Sequence, residues 1–278
     1  MFLGPKMAII KTAIPVLCAG LALLAQPALA QQKSQTLKGA AEAIKAAGAV
    51  DNLDPDAVTA LKSMGQYIVA QKAIDLTTHF EVELDLDNGQ TVEIGGSAHY
   101  LAAPPNKLRV ELKSDLGQRN FLFDGQSLYV VAPDKAVYGQ LDNVGPTIKD
   151  MLDQVATYSD IELPLADLFT WGTADDPASL IGEGFRVGVA TIDGHSTTHW
   201  AYRTSDKDFE IWIAGGAKPL PLKLVVIDAI NPDRPRFEVN LDWSDNPVVA
   251  MTEFDFIPPT GTDEVPILIH DAAKETSK

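Results

Sequence analysis

Phe80-Glu81-Val82-Glu83-Leu84-Asp85-Leu86-Asp87-Asn88-Gly89 decides the fold class. Four apolar residues alternate with four acids, the period of a strand with one face on a core and the other in water. Asn88-Gly89 follows, the strongest short hairpin signal, because a tight return needs positive φ at both central residues. The pattern predicts a return strand over Thr91 to Tyr100. Working outward, Pro104-Pro105-Asn106 marks a turn, and Leu108, Val110 and Leu112 alternate with Arg109, Glu111 and Lys113. A third hairpin is read from Phe121-Leu122-Phe123, Asp124-Gly125 and Leu128-Tyr129-Val130-Val131. Pro133 ends it, and Ala136 to Leu141 gives a further short strand.

The period then changes. Ile148, Met151, Leu152 and Val155 have helical spacing, and Leu163 to Phe169 reads as a second short apolar helix. Two helices are therefore predicted within an insert at about 144–171. Strands resume over Phe185 to Val189, turn at Asp193-Gly194, and continue over Thr197 to Thr204, Phe209 to Ile213, Leu222 to Ile227, Phe237 to Trp243 and Val248 to Phe256. Regular spacing with turn signals between strands argues for a meandering sheet. Before the sheet, Asp54-Pro55 carries the signs of a helix start, a capping acid and then a proline at the first helical position. Ala57, Leu61, Met64 and Ile68 follow on one face.

The start of the chain reads as an export signal. Lys6 and Lys11 precede an apolar run from Ala13 to Ala25, and Ala28-Leu29-Ala30 places small residues where a signal peptidase cuts. The run is short for a membrane span, which takes about 20 residues. Cys18 has Leu17 before it, Pro15 three positions before it and apolar chain after it, which is not a lipid-attachment setting. Cleavage after Ala30 leaves no cysteine, hence no disulfide, thiol nucleophile or cysteine-bound metal. It also takes the formal net charge from −16 to −18. So acidic a chain is a poor partner for nucleic acid or anionic membrane surfaces. The expected organisation is a cleaved signal at 1–30, a flexible leader at 31–53, one β domain over 54–258 and a loose tail at 259–278. Val265 to Ile269 is the one stretch of that tail with the pattern of an edge strand.

About ten strands and few helices share one core. A strongly curved antiparallel sheet, open as a half-barrel with short helices on its concave side, accommodates an insert placed midway between two runs of strands. Helices this short can leave part of the concave face uncovered, as an apolar hollow. The alternative is a fully packed core.

The stretch Arg119 to Pro133 resembles the F-x-x-D-G-x-x-L-[WY]-x-x-x-P hairpin of LolA/LolB-type lipoprotein carriers, here Phe121, Asp124, Gly125, Leu128, Tyr129 and Pro133. The order of hairpins, helices and further strands is also similar. With Tyr129, Tyr138 and Leu163-Pro164-Leu165-Ala166-Asp167-Leu168, the chain resembles a family of predicted periplasmic proteins of unknown function. The resemblance implies a mainly β (α+β) LolA/LolB-like half-barrel with a helical lid.

Candidate catalytic and metal motifs have ordinary structural readings. His195 and His199 stand four apart, which on a strand separates them by about 13 Å, too far for one ion. Asp85-Leu86-Asp87-Asn88-Gly89 lacks the later ligands of a calcium loop, and Gly95-Gly96-Ser97 reads as a bulge or bend. Gly182-Glu183-Gly184 precedes a strand, the wrong context for a dinucleotide. No cofactor or metal is expected, and an enzyme ranks last. The candidate lining of an apolar hollow is Phe80, Phe121, Phe123, Met151, Leu152, Phe185, Trp200, Tyr202 and Phe209, each with core packing as its ordinary alternative. Trp171-Gly172 is read as a hinge or entrance. The function expected is a periplasmic carrier or sensor of an apolar ligand, with a lipid or a lipoprotein acyl chain as partner. The alternative is a non-catalytic envelope protein-interaction or stress-sensing module whose partner is another envelope protein.

Overall fold

The alternation from Phe80 to Asp85 belongs to a central strand of a twelve-stranded sheet. The computed structural model describes residues 53–86, 88–158, 163, 165–169, 171 and 177–267. The signal, most of the leader, Gly172, His270 and the end of the tail lie outside these residues. Two α-helices are described, α1 (Pro55–Val69) and α2 (Ile148–Tyr158). The first six strands are β1 (Ile74–Asp85), β2 (Thr91–Ala103), β3 (Lys107–Ser114), β4 (Gly117–Phe123), β5 (Ser127–Ala132) and β6 (Val137–Asp142). Five more follow the insert: β7 (Glu183–Ile192), β8 (His195–Arg203), β9 (Lys207–Ala214), β10 (Pro221–Asp228) and β11 (Arg236–Trp243). A two-residue strand, β12 (Asp263–Glu264), comes last.

The spatial order is β12-β6-β5-β4-β3-β2-β1-β11-β10-β9-β8-β7. Two antiparallel meanders, β1 to β6 and β7 to β11, therefore meet where β11 pairs with β1, from Leu76 opposite Trp243 to Val82 opposite Phe237. The sheet does not close, since β7 and β12 are its edges. Among the described strands only β12 runs parallel to its neighbour, and Leu53 makes one isolated parallel bridge to Gly184.

Local chemistry accounts for the joints. Asp193 and Gly194 both have positive φ, the double left-handed turn that matches strand twist. Asp124 Oδ1 accepts from the amides of Gln126 and Ser127 at 2.9 and 2.8 Å, which turns the chain between β4 and β5. Asp54 caps α1 by accepting from the Asp56 amide at 2.8 Å, with Pro55 at the first helical position. Thr147 Oγ1 accepts from the Asp150 amide at 3.1 Å at the start of α2.

One face of the sheet carries the main core. Leu76, Tyr100, Val110, Phe123, Leu128, Trp200, Ile211, Val239 and Leu241 pack in one cluster with Leu61, Met64 and Ile68 of α1 and Met151 and Val155 of α2. Twelve strands side by side would span roughly 50 Å if flat, whereas the 15 residues of α1 reach about 22 Å. A single cluster under so short a cover requires the sheet to curve around the helices, which lie on its concave side.

Several expectations change. Gly95 and Gly96 form no bulge, for the β1–β2 register runs unbroken from Ile74 to Asp85. Val248 to Phe256 is no strand; Met251–Phe254 is a 3₁₀ turn lying across the outer face. Its Phe254 is fully buried, and Phe256 stacks on Tyr129 at 4.1 Å. Tyr129 lies opposite Leu122, and the buried Leu122, Val131 and Ala132 belong to no part of the main core. The chain beyond Pro259 is not loose as far as it is described: the amides of Asp263 and Val265 donate to Ala136 and Tyr138 carbonyls at 3.0 and 2.8 Å. The second helix expected in the insert is a 3₁₀ turn, Ala166–Phe169.

Candidate functional site

The register of the sheet places its inner side chains in rows across the strands. One row runs Trp200, Ile211, Leu224, Val239, Phe80 and Gly96, from β8 to β2. All five side chains are buried. The next row toward the β1–β2 hairpin runs Tyr202, Phe209, Val226, Phe237, Val82 and Ile94. Its chemistry is as apolar, but only Tyr202 is buried; the other five are half-buried. Further out, Leu84 opposite Val92 is 37% exposed and Leu86 is 42% exposed. Along β1 cover is thus lost between Phe80 and Leu84, while the side chains remain hydrocarbon.

The helices explain the gradient. α1 starts beside β7, where Tyr202 donates its hydroxyl to the Ala57 carbonyl at 2.9 Å. α2 starts at the opposite rim, where the Ile148 amide donates to Pro105 at 2.8 Å. The insert returns over Tyr100 and Phe209: Phe169 lies 6.4 Å from Tyr100, and Trp171 meets Phe209 edge-on at 6.0 Å. The half-buried row begins at Phe209 and continues beyond these contacts. Trp171 adds the one polar feature. Its indole N–H is buried and, among the described residues, is the side-chain polar atom left without a hydrogen-bond partner.

The outer face of the same strands is charged. Glu238 pairs with both Lys223 and Arg236, and the Arg236 amide donates to Glu83 at 3.1 Å. His199 lies 2.8 Å from Glu210 and stacks on Trp212 at 3.9 Å. That hydrogen bond holds the Glu210 carboxyl below its ordinary value. His195 and His199 both lie along β8, as expected of a strand.

The expected lining residues divide. Phe209 belongs to the half-buried row, stacked on Tyr202 at 4.9 Å, and Phe80 lies in the buried row behind it, tilted against Phe237 at 6.1 Å. Phe121, Phe123, Met151, Trp200 and Tyr202 are buried in the main core, with Leu152 partly buried against it. Phe185 pairs with Ala201, between Trp200 and Tyr202 on β8, and so faces the other side of the sheet. The aliphatic members Val82, Ile94 and Val226 were missed, as was Phe237. The signal that points to Val82 was available: it alternates with Glu81 and Glu83, so its face is fixed by the acids beside it.

Residues 57–268 match the family described as predicted periplasmic protein (DUF2092). The chain belongs to this family. Its compartment is the periplasm. No curated protein matches the chain. Among solved structures, this member of the family is similar to lipoprotein LppX of Mycobacterium tuberculosis, at 12% identity and a TM-score of 0.44, covering 70% of this chain and 98% of that one. It is similar to an uncharacterized conserved protein of Thermus thermophilus, at 10% identity and a TM-score of 0.44, covering 76% and 99%. It is also similar to LprF of Mycobacterium bovis, at 13% identity and a TM-score of 0.41, covering 76% and 99%.

Proposed function

We propose that this periplasmic protein binds the hydrocarbon part of a lipid on the inner face of its sheet, as a carrier or sensor rather than as an enzyme. The observation that carries the reading is the half-buried row Phe209, Val226, Phe237, Val82 and Ile94. Five adjacent strands present apolar side chains at one level, one row beyond the reach of the helical cover. Each methylene buried there contributes about 0.8 kcal/mol, so a long acyl chain gains affinity without a charged contact. The row carries no nucleophile, acid or base, which favours binding over catalysis. The acids stay on the opposite face, where they keep the molecule soluble.

The test uses protein purified from the periplasm after expression of the full chain. A fluorescent fatty-acid probe, cis-parinaric acid, is titrated into it, and solvent extracts of the same protein are examined by mass spectrometry for lipid. Saturable probe binding is expected, weakened at least tenfold in Val82→Asp and in Val226→Asp while far-UV circular dichroism is unchanged. Absence of saturable uptake by the unaltered protein, with lipid-free extracts, overturns the reading.

A further inference from the structure

The two edges of the sheet are finished differently. At one, β12 covers the start of β6 and brings two acids, Asp263 and Glu264, with Pro258, Pro259 and Pro266 around them. Acids, prolines and a short final strand are the usual protections of an edge. At the other, β7 has no such cover among the described residues. Among the described residues Leu53 bridges Gly184 at its very start, the Asp54 amide donates to the Gly184 carbonyl, and α1 lies close to the strand, but none of them adds a further ladder to it. From Val187 to Ile192 the strand is Val-Gly-Val-Ala-Thr-Ile, six residues without a charge in a chain with a formal net charge of −16. Val189 is 62% exposed.

The charges that flank this run are opposite in sign. Arg186 precedes it and Asp193 follows it; both are exposed, and neither has an ion-pair partner among the described residues. A strand with a positive residue at one end and a negative residue at the other is complementary to an antiparallel copy of itself. The irregularity between Arg186 and Gly188 leaves Gly188–Ile192 as the regular part. A two-fold axis at Ala190 pairs Ala190 with its own counterpart, Val189 with Thr191, and Gly188 with Ile192. It also brings Arg186 of each copy beside Asp193 of the other. Such a contact is isologous and closes on itself as a dimer.

We propose that the β7 edge is the docking surface for a second copy of this chain, joined antiparallel about Ala190 into one continuous sheet. A single strand pair is smaller than a standard stable interface of about 1,600 Å², so the dimer is weak and concentration-dependent. The surface is separate from the half-buried apolar row, and the inference does not depend on lipid binding.

The test uses the full chain with Cys18→Ser, exported and purified, so that introduced cysteines are the only thiols. Sedimentation equilibrium is expected to show a reversible monomer–dimer system. Val189→Lys should abolish it, and Arg186→Glu should weaken it at least tenfold. Adding Asp193→Arg to Arg186→Glu should restore it. A short bis-maleimide should join Ala190→Cys chains in pairs. It should not join Leu116→Cys, which is 68% exposed at the β3–β4 turn. A protein that stays monomeric at every concentration overturns the proposal, as does a dimer that survives Val189→Lys. Slow maleimide labelling of Ala190→Cys in a monomer would show that residues before Leu53 occupy the edge instead, and that also overturns it.

Discussion

Phe80 and Gly96 are direct partners across the β1–β2 ladder, and the Phe80 ring occupies the space that a side chain at position 96 would take. A Cβ at 96 would lie 2.3 Å from the ring Cζ and 2.6 Å from the Lys113 carbonyl oxygen. The first obstacle is a side chain and the second is backbone. Gly96→Ala is therefore expected to destabilise the protein by about 1–3 kcal/mol through overpacking. Adding Phe80→Leu should recover only part of the loss, because Lys113 remains. Urea denaturation of the two variants checks this; a neutral Gly96→Ala would refute it.

The segment after β11 is expected to contribute through Phe254 more than through Phe256. Phe254 is fully buried against the outer face, so Phe254→Ala should cost about 3–5 kcal/mol. Phe256 is only half-buried, stacked on Tyr129 and tilted at 5.3 Å from Tyr138. Its loss should cost about 1 kcal/mol. Equal losses in urea melts would show that the stacking, not the burial, anchors this segment.

Asp208 predicts an acid limb to the stability profile. Hydrogen bonds from Arg203 at 2.6 Å and Arg234 at 2.7 Å, the Arg203 one foremost, hold its carboxyl below the ordinary value of 3.8. A carboxyl lowered in the folded state favours folding above its unfolded value, and that contribution fades as pH falls through the folded value. Asp208→Asn should be less stable than the unaltered protein by about 1 kcal/mol at neutral pH. The gap should shrink from about pH 4 downward. Thermal melts at pH 7 and pH 3 that differ by the same amount would refute the assignment.

Two indoles give a paired comparison. Trp243 donates its N–H to the Pro221 carbonyl at 2.7 Å, whereas the buried Trp171 N–H has no partner among the described residues. An unsatisfied buried donor costs about 1–3 kcal/mol. Trp171→Phe removes that cost together with some packing, while Trp243→Phe removes a bond that is made. Trp243→Phe should therefore be the more damaging by at least about 1 kcal/mol, read from denaturant midpoints at equal slopes.

Much of the architecture was legible because turn chemistry and alternation are local. Asn88-Gly89, Asp124-Gly125 and Asp193-Gly194 each sit where two strands reverse, and Asp54-Pro55 opens α1. Val248 to Phe256 shows where period fails. It runs from four consecutive apolar residues, Val248 to Met251, to Phe254 and Phe256 on either side of Asp255, but Phe254 is buried from a 3₁₀ turn, with no strand beside it among the described residues to complete a ladder. The site was less legible for a related reason. Whether Phe123 or Phe237 is covered depends on where α1, α2 and the insert end, and neither strand's own pattern records that. Phe185 was misplaced because an aromatic residue does not declare its face, whereas its pairing with Ala201 does.

The meeting of β1 with β11 bears on how the chain assembles. Apart from β12, every other strand pairing among the described residues joins neighbours in sequence, so each meander can zip up hairpin by hairpin at low loop-closure entropy. The β1–β11 seam, from Leu76–Trp243 to Val82–Phe237, joins segments more than 150 residues apart. It therefore carries the slow, topologically demanding step. The same division marks the insert between β6 and β7 as the natural place to cut the gene in two, yielding halves that would meet again along that seam, with the Tyr202–Ala57 bond and the β12–β6 pairing as further joints.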